Sequence, residues 1–185
     1  MRADARKNRE HLLAVAGAAI SEQGVEVSLR DIARRADVGL ATLLRHFPTR
    51  EALLDALLRT GFDELTARAE ELETSEAPGD ALVAWLRDCV GWTTEYRGAT
   101  VLMAAAIEDA ESALHASCVT LRAAGARLLT RAQAAGVARG DLDGADLFAL
   151  VAMLAWLGDQ PSLTPRADHL FDVVATALLT DEGSG

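Results

Sequence analysis

Several shortages in this sequence each remove a class of protein. Proline is scarce, four in 185 residues, and long β-branched runs are missing. With half the residues apolar and Ala and Leu dominant, that leaves an all-α composition. No uncharged apolar run reaches about 18 residues, so no helix is expected to span a membrane. The start, Met1 to Arg9, runs as charged residues into an amphipathic helix and has no signal-peptide core, so the chain is expected to be cytoplasmic. Only two cysteines occur, Cys89 and Cys118, without CxxC or zinc-type spacing, and both are expected to be free thiols. His11, His46, His115 and His169 fall in no HExxH or triad-like setting. Glu111 and His115, four apart on one helix, read as a surface ion pair rather than half a metal site. With no P-loop and no GxGxxG, nucleotide hydrolysis and hydride transfer have no support. No enzyme, cofactor or metal is expected.

Basic charge is scarce overall but uneven. The net charge is −10, yet residues 1–50 hold nine Lys and Arg against six Asp and Glu, while residues 51–185 hold nine against 22. A small basic head on an acidic body fits a protein that touches nucleic acid at one end only.

The head contains the most informative stretch. Leu29, Ile32, Ala33 and Ala36 share one face of a short helix at 3/4 spacing, and Asp37-Val38-Gly39 breaks it. A second short helix, Leu40 to Phe47, turns Leu43 and Phe47 inward with Val38. Two short amphipathic helices around a glycine-containing turn form the pattern of a helix-turn-helix. Leu40, Ala41, Thr42, Leu44, Arg45 and His46 are left on the outer face, free to enter a major groove.

The rest of the chain reads as further helices. A first helix runs to about Gln23 on Leu12, Leu13, Ala16 and Ile20, and Gly24 stops it. The arm before it, with Arg2, Arg6, Lys7 and Arg9, is either a solvated terminus or a phosphate contact. Ser28 with Asp31 caps the second helix, and Pro48 and Thr49 open a long fourth helix, about 50–73, as a lever between head and body. Thr74 to Gly79 is a linker. A fifth helix follows from Asp80, a sixth over about 100–107, a seventh over about 111–135, an eighth over about 145–157 and a ninth over about 166–180. Neither internal repeats nor low-complexity tracts occur. The expected organisation is therefore 1–50 as the head, 50–73 as the connecting helix and 74–185 as the body.

The run Leu29 to Ala36, Val38-Gly39 and Thr42 to Leu53 resembles the TetR/AcrR family of bacterial transcriptional regulators. The close resemblance covers about a quarter of the chain. It implies a homodimer on a palindromic double-stranded DNA operator, a repressor released by a small molecule entering the body. By the same resemblance Leu40, Ala41, Thr42 and Leu44 face bases or adjacent phosphates, with Arg45 as the remaining long polar arm. His46 and Arg50 clamp phosphates, and Ser28 with Arg30 at the start of the second helix meets the backbone. One residue departs from the pattern: the family usually has Tyr where this chain has Leu44. Leucine cannot donate to a phosphate, so it packs on a thymine methyl or lies on the protein surface.

Two surfaces of the body are singled out. Trp85, Cys89, Trp92, Tyr96, Met103, Ile107, Cys118, Leu121 and Met153 are candidates for contact with an apolar or aromatic effector, against the plainer reading that they are core. Two of three Trp and the single Tyr lie on one helix of an aromatic-poor chain, which favours the pocket. Leu147, Leu150, Val151, Leu154, Leu170, Val173, Val174 and Ala177, on the eighth and ninth helices, are the expected dimer interface, a four-helix isologous contact implied by the family. The alternative is a helix-turn-helix regulator governed by a protein partner or by cysteine oxidation.

Overall fold

The computed structural model describes residues 2–96, 109, 112 and 114–180. The expected sixth helix, with Met103 and Ile107, lies outside the described residues.

Local sequence sets most helix ends. Helix α1 (Arg2–Gln23) stops at Gly24, whose φ of 83° is costly for any residue with a Cβ. Helix α2 (Leu29–Arg35) begins at Ser28, whose hydroxyl accepts from the Asp31 amide at 3.1 Å. The left-handed residue of the following turn is Asp37, φ 54°. Gly39 is the N-cap of α3 (Leu40–His46) with an ordinary φ of −69°. The turn thus rests on an aspartate, one of the few side chains that tolerate that conformation. Thr49 caps α4 (Arg50–Leu72) through the Ala52 amide.

The long α4 belongs to two cores. Leu53, Leu54 and Leu57 join Leu12, Ala16, Ile20, Ile32, Leu43 and Phe47 in the head. From Leu58 onward Phe62, Leu65 and Ala69 join the body, and one continuous helix fastens the two together.

The body consists of α5 (Pro78–Glu95), α6 (His115–Ala134), α7 (Gly144–Gly158), a short 3-10 turn (Thr164–Arg166) and α8 (Ala167–Leu178). Helix α5 starts two residues earlier than expected because Pro78 occupies its first turn, where a missing N–H costs nothing. Glycines allow close approach at two crossings: a Cβ on Gly125 would overlap the Trp85 ring, and one on Gly61 would overlap Trp92. Cations tie the periphery. Arg131 donates to the Ser75 carbonyl at 2.7 Å, and Arg127 pairs with Glu73 at 2.6 Å. Arg87 pairs with Asp172 at 2.7 Å while lying over the Phe171 ring, joining α5 to α8. Among the described residues there is no strand, only an isolated bridge between Ala138 and Leu179, and no helix is long and apolar enough to cross a membrane.

Candidate functional site

The head presents α3 on a packed base. Leu43 and Phe47 are fully buried, which turns Ala41 and Arg45 outward and leaves Leu40, Thr42, Leu44 and His46 half-exposed. Leu44 packs partly against the head core, so the leucine that replaces the family's tyrosine has a packing role of its own. Arg45 is folded back on its own helix, donating to the Thr42 hydroxyl at 3.0 Å and the Ala41 carbonyl at 3.3 Å. The Arg9 guanidinium lies over the Phe47 ring, 5.0 Å from its centroid, and brings the N-terminal helix onto the base of α3.

At the start of α2 the Ser28 hydroxyl also donates to the Asp31 carboxylate at 2.7 Å. That bond, and then Arg34, hold the Asp31 carboxyl below its ordinary range. Arg30 beside them is exposed.

Arg50 is placed differently from the phosphate clamp that the resemblance implies. Its guanidinium donates to the backbone carbonyls of Val25 and Val27, the latter at 2.8 Å, and reaches Glu26 at 3.4 Å. It fixes the loop that delivers Ser28 and Arg30. Arg50→Ala should therefore lower stability by about 1.5–3 kcal/mol, the usual worth of hydrogen bonds to a charged group. Guanidinium unfolding measures it; unchanged stability with lost DNA affinity would return Arg50 to direct contact.

The body corrects several expectations. Trp85, Cys89, Cys118 and Leu121 are packed into the body core, each 2% exposed. The Trp85 indole N–H donates to the Leu65 carbonyl at 3.0 Å, so its polar tip is already satisfied. Met153 does not face the interior, being 44% exposed on the outer side of α7. Leu147, Val151 and Leu154, expected at a dimer interface, are 1%, 4% and 5% exposed and face their own core. An all-apolar helix shows no polar stripe to reveal which side turns inward. The outer apolar face of α7 and α8 is instead Met153, Trp156 and Val173, with Leu150, Leu170 and Val174 half-buried and Ala177 exposed.

Burial pushes both thiols up, Cys118 to about 11 and Cys89 beyond it. Thiolate is the reactive form, so neither should react with a disulfide reagent in the native protein near neutral pH. Thiol titration before and after adding guanidinium checks this: both should be released only on unfolding, and a fast native thiol would revive the oxidation reading.

Trp92 and Tyr96 are brought elsewhere than expected. Their rings meet at a tilt of 51°, centroids 4.9 Å apart, with Trp92 also tilted against Phe62 at 5.4 Å, and the two line a cavity of about 560 Å³ between α1, α4 and α5. Gly17, Leu57, Glu64 and Glu95 share it. The sequence pattern missed these partners because they come from three helices distant in sequence, and helical spacing does not record which helices meet.

Comparison with known proteins gives two family matches. Residues 12–57 match the model described as bacterial regulatory proteins, tetR family, and residues 77–179 match that of the SbtR-like transcriptional regulator C-terminal domain. A TetR transcriptional regulator from Streptomyces coelicolor is 33% identical with a TM-score of 0.70, covering 94% of this chain and 99% of its own. A TetR transcription regulatory protein from Mycobacterium vanbaalenii is 32% identical with a TM-score of 0.68, covering 97% and 99%. RolR in complex with resorcinol, 20% identical with a TM-score of 0.63 over 98% of this chain and 92% of its own, shows likeness of fold alone. No curated protein matches the chain.

Proposed function

The chain belongs to the TetR family of bacterial transcriptional regulators, and from that premise we propose a cytoplasmic homodimeric repressor that leaves a palindromic operator when a small apolar or aromatic effector binds. One observation carries the reading: the single helix α4 has Leu53, Leu54 and Leu57 in the core beneath the recognition helix and Leu58, Phe62 and Leu65 in the core of the body. A change in body packing reaches the head through that helix without crossing a flexible joint. An effector can shift the heads only by its differential affinity for the DNA-competent and incompetent states. No catalysis is part of this proposal.

The division of labour follows. Residues 1–50 read DNA, α4 transmits, and the body from residue 74 dimerises and contributes residues to the effector site. Exposed Met153, Trp156 and Val173 support a contact between α7 and α8 of two subunits. Leu40, Ala41, Thr42, Leu44, Arg45 and His46 are the proposed reading face, with Ser28 and Arg30 on the flanking backbone. Of the two alternatives, cysteine oxidation meets two buried thiols.

Enrichment of genomic fragments by the purified protein tests the function: a palindromic site should emerge, and recovery no better than random DNA would sink the proposal. Within that site, apolar readout makes a sharper claim. Replacing a contacted thymine by deoxyuracil removes one methyl and should cost about fourfold in affinity, at roughly 0.8 kcal/mol per buried carbon. Leu44→Ala should abolish that difference; if the variant still discriminates as wild type does, Leu44 does not touch the base.

A further inference from the structure

We propose that the cavity between α1, α4 and α5 is a binding site for an amphipathic organic cation, with Trp92 and Tyr96 as its aromatic walls and Glu64 and Glu95 as its anionic end. This rests on the repressor reading and names both the chemical class and the place of the effector.

The geometry points that way from several sides. A volume of about 560 Å³ is ordinary for a small-molecule site. One wall is aromatic, Trp92 tilted against Tyr96 with centroids 4.9 Å apart, in a chain with only 4% aromatic residues. Aromatic faces attract cations, most strongly where water is partly excluded. The Glu64 and Glu95 carboxylates both reach the field of the Tyr96 hydroxyl, which burial, then Glu95, then Glu64 hold in its neutral form above the usual tyrosine range. Neither glutamate forms an ion pair with a cation among the described residues. The other charges at the rim are engaged elsewhere: Glu10 pairs with Arg6 at 3.5 Å, and Arg9 lies over Phe47. Two carboxylates beside two adjoining aromatic rings suit a positive charge on an apolar body better than a neutral or anionic ligand.

The position also supplies a route to the head. Gly17 of α1 lies against both the Tyr96 hydroxyl and Leu57, with a Cβ there 3.4 Å from each. Tyr96 packs on both the head core and the body core. A molecule seated in this cavity beside Tyr96 therefore touches α1 and α4 at one side and α5 at the other.

Calorimetry with tetraphenylphosphonium and its anionic isostere tetraphenylborate tests the site, with operator affinity followed in parallel by fluorescence anisotropy. Tetraphenylphosphonium should bind the full-length protein at least about tenfold more tightly than tetraphenylborate. The double variant Glu64→Gln/Glu95→Gln changes two exposed side chains, so it should fold, bind operator as wild type does and lose at least about tenfold in cation affinity. The cation should weaken operator binding by wild type and much less by the variant. Equal affinity for the two isosteres, an unchanged affinity in the variant, or cation binding without effect on DNA would each overturn the proposal. Operator binding without any probe keeps the two readings apart. A protein that binds its operator and ignores tetraphenylphosphonium removes only the cation site. One that binds the cation through Glu64 and Glu95 but no operator removes the regulator.

Discussion

Trp156→Glu is expected to yield a folded monomer whose operator affinity is lower by about 10²–10⁴-fold, the range by which two linked contacts exceed one. Trp156 is 54% exposed on α7, with Met153 on the same helix 44% exposed and Val173 on α8 51% exposed. Large apolar side chains gathered on neighbouring helices are uncommon on a surface that stays in water. A carboxylate at the centre of a self-complementary contact meets its own copy across the two-fold axis, so one substitution places two like charges in a desolvated interface. Because Trp156 leaves its own core alone, circular dichroism and the unfolding midpoint of the monomer should change little. Sedimentation velocity reads the mass. A variant that remains dimeric and keeps its operator affinity would move the interface elsewhere.

Trp85→Ala should behave in the opposite way, costing about 3–5 kcal/mol of stability, as large-to-small changes in packed cores do. The ring fills the space that Gly125 leaves open on α6, and its N–H closes on the Leu65 carbonyl of α4. Its removal loosens the crossing of α4, α5 and α6 and opens a hole that this rigid surround cannot collapse. Denaturant unfolding measures the loss, and a smaller residue at 85 with Phe or Leu at 125 should recover part of it. A loss below about 1 kcal/mol would mean that Trp85 is a ligand-facing residue after all.

Much of the head was legible because its signals are local. Gly24, Ser28 and Thr49 end or begin helices through bonds to residues a few positions away, and each stands where its neighbours in sequence put it. The turn was less transparent. Its left-handed residue is Asp37 and not Gly39, since a short polar side chain can accept a conformation usually given to glycine. Arg50 shows a second limit: a guanidinium at a motif's phosphate position carries the same signal whether it faces DNA or three carbonyls of its own chain.

In the body the limit was orientation. The pattern of α7 is apolar nearly all round, so spacing could not tell the inward Leu147, Val151 and Leu154 from the outward Met153 and Trp156. Only the helices packed against it decide that. The aromatic cluster on α5 was visible as composition, yet it divides in space. Trp85 turns to α6, while Trp92 and Tyr96 turn to α4 and α1. The cavity they help enclose joins Gly17 to Tyr96, residues far apart in sequence, and no local period records such a meeting.

Two basic heads on one dimer are expected to read a specific palindrome. The most direct measurement is the affinity of the purified protein for that operator and for scrambled duplex of equal length, titrated across salt concentration. Operator should bind at least about 10³-fold more tightly than scrambled duplex near physiological salt, with affinity for both duplexes falling as salt rises. Equal affinity for the two duplexes across the titration would contradict it.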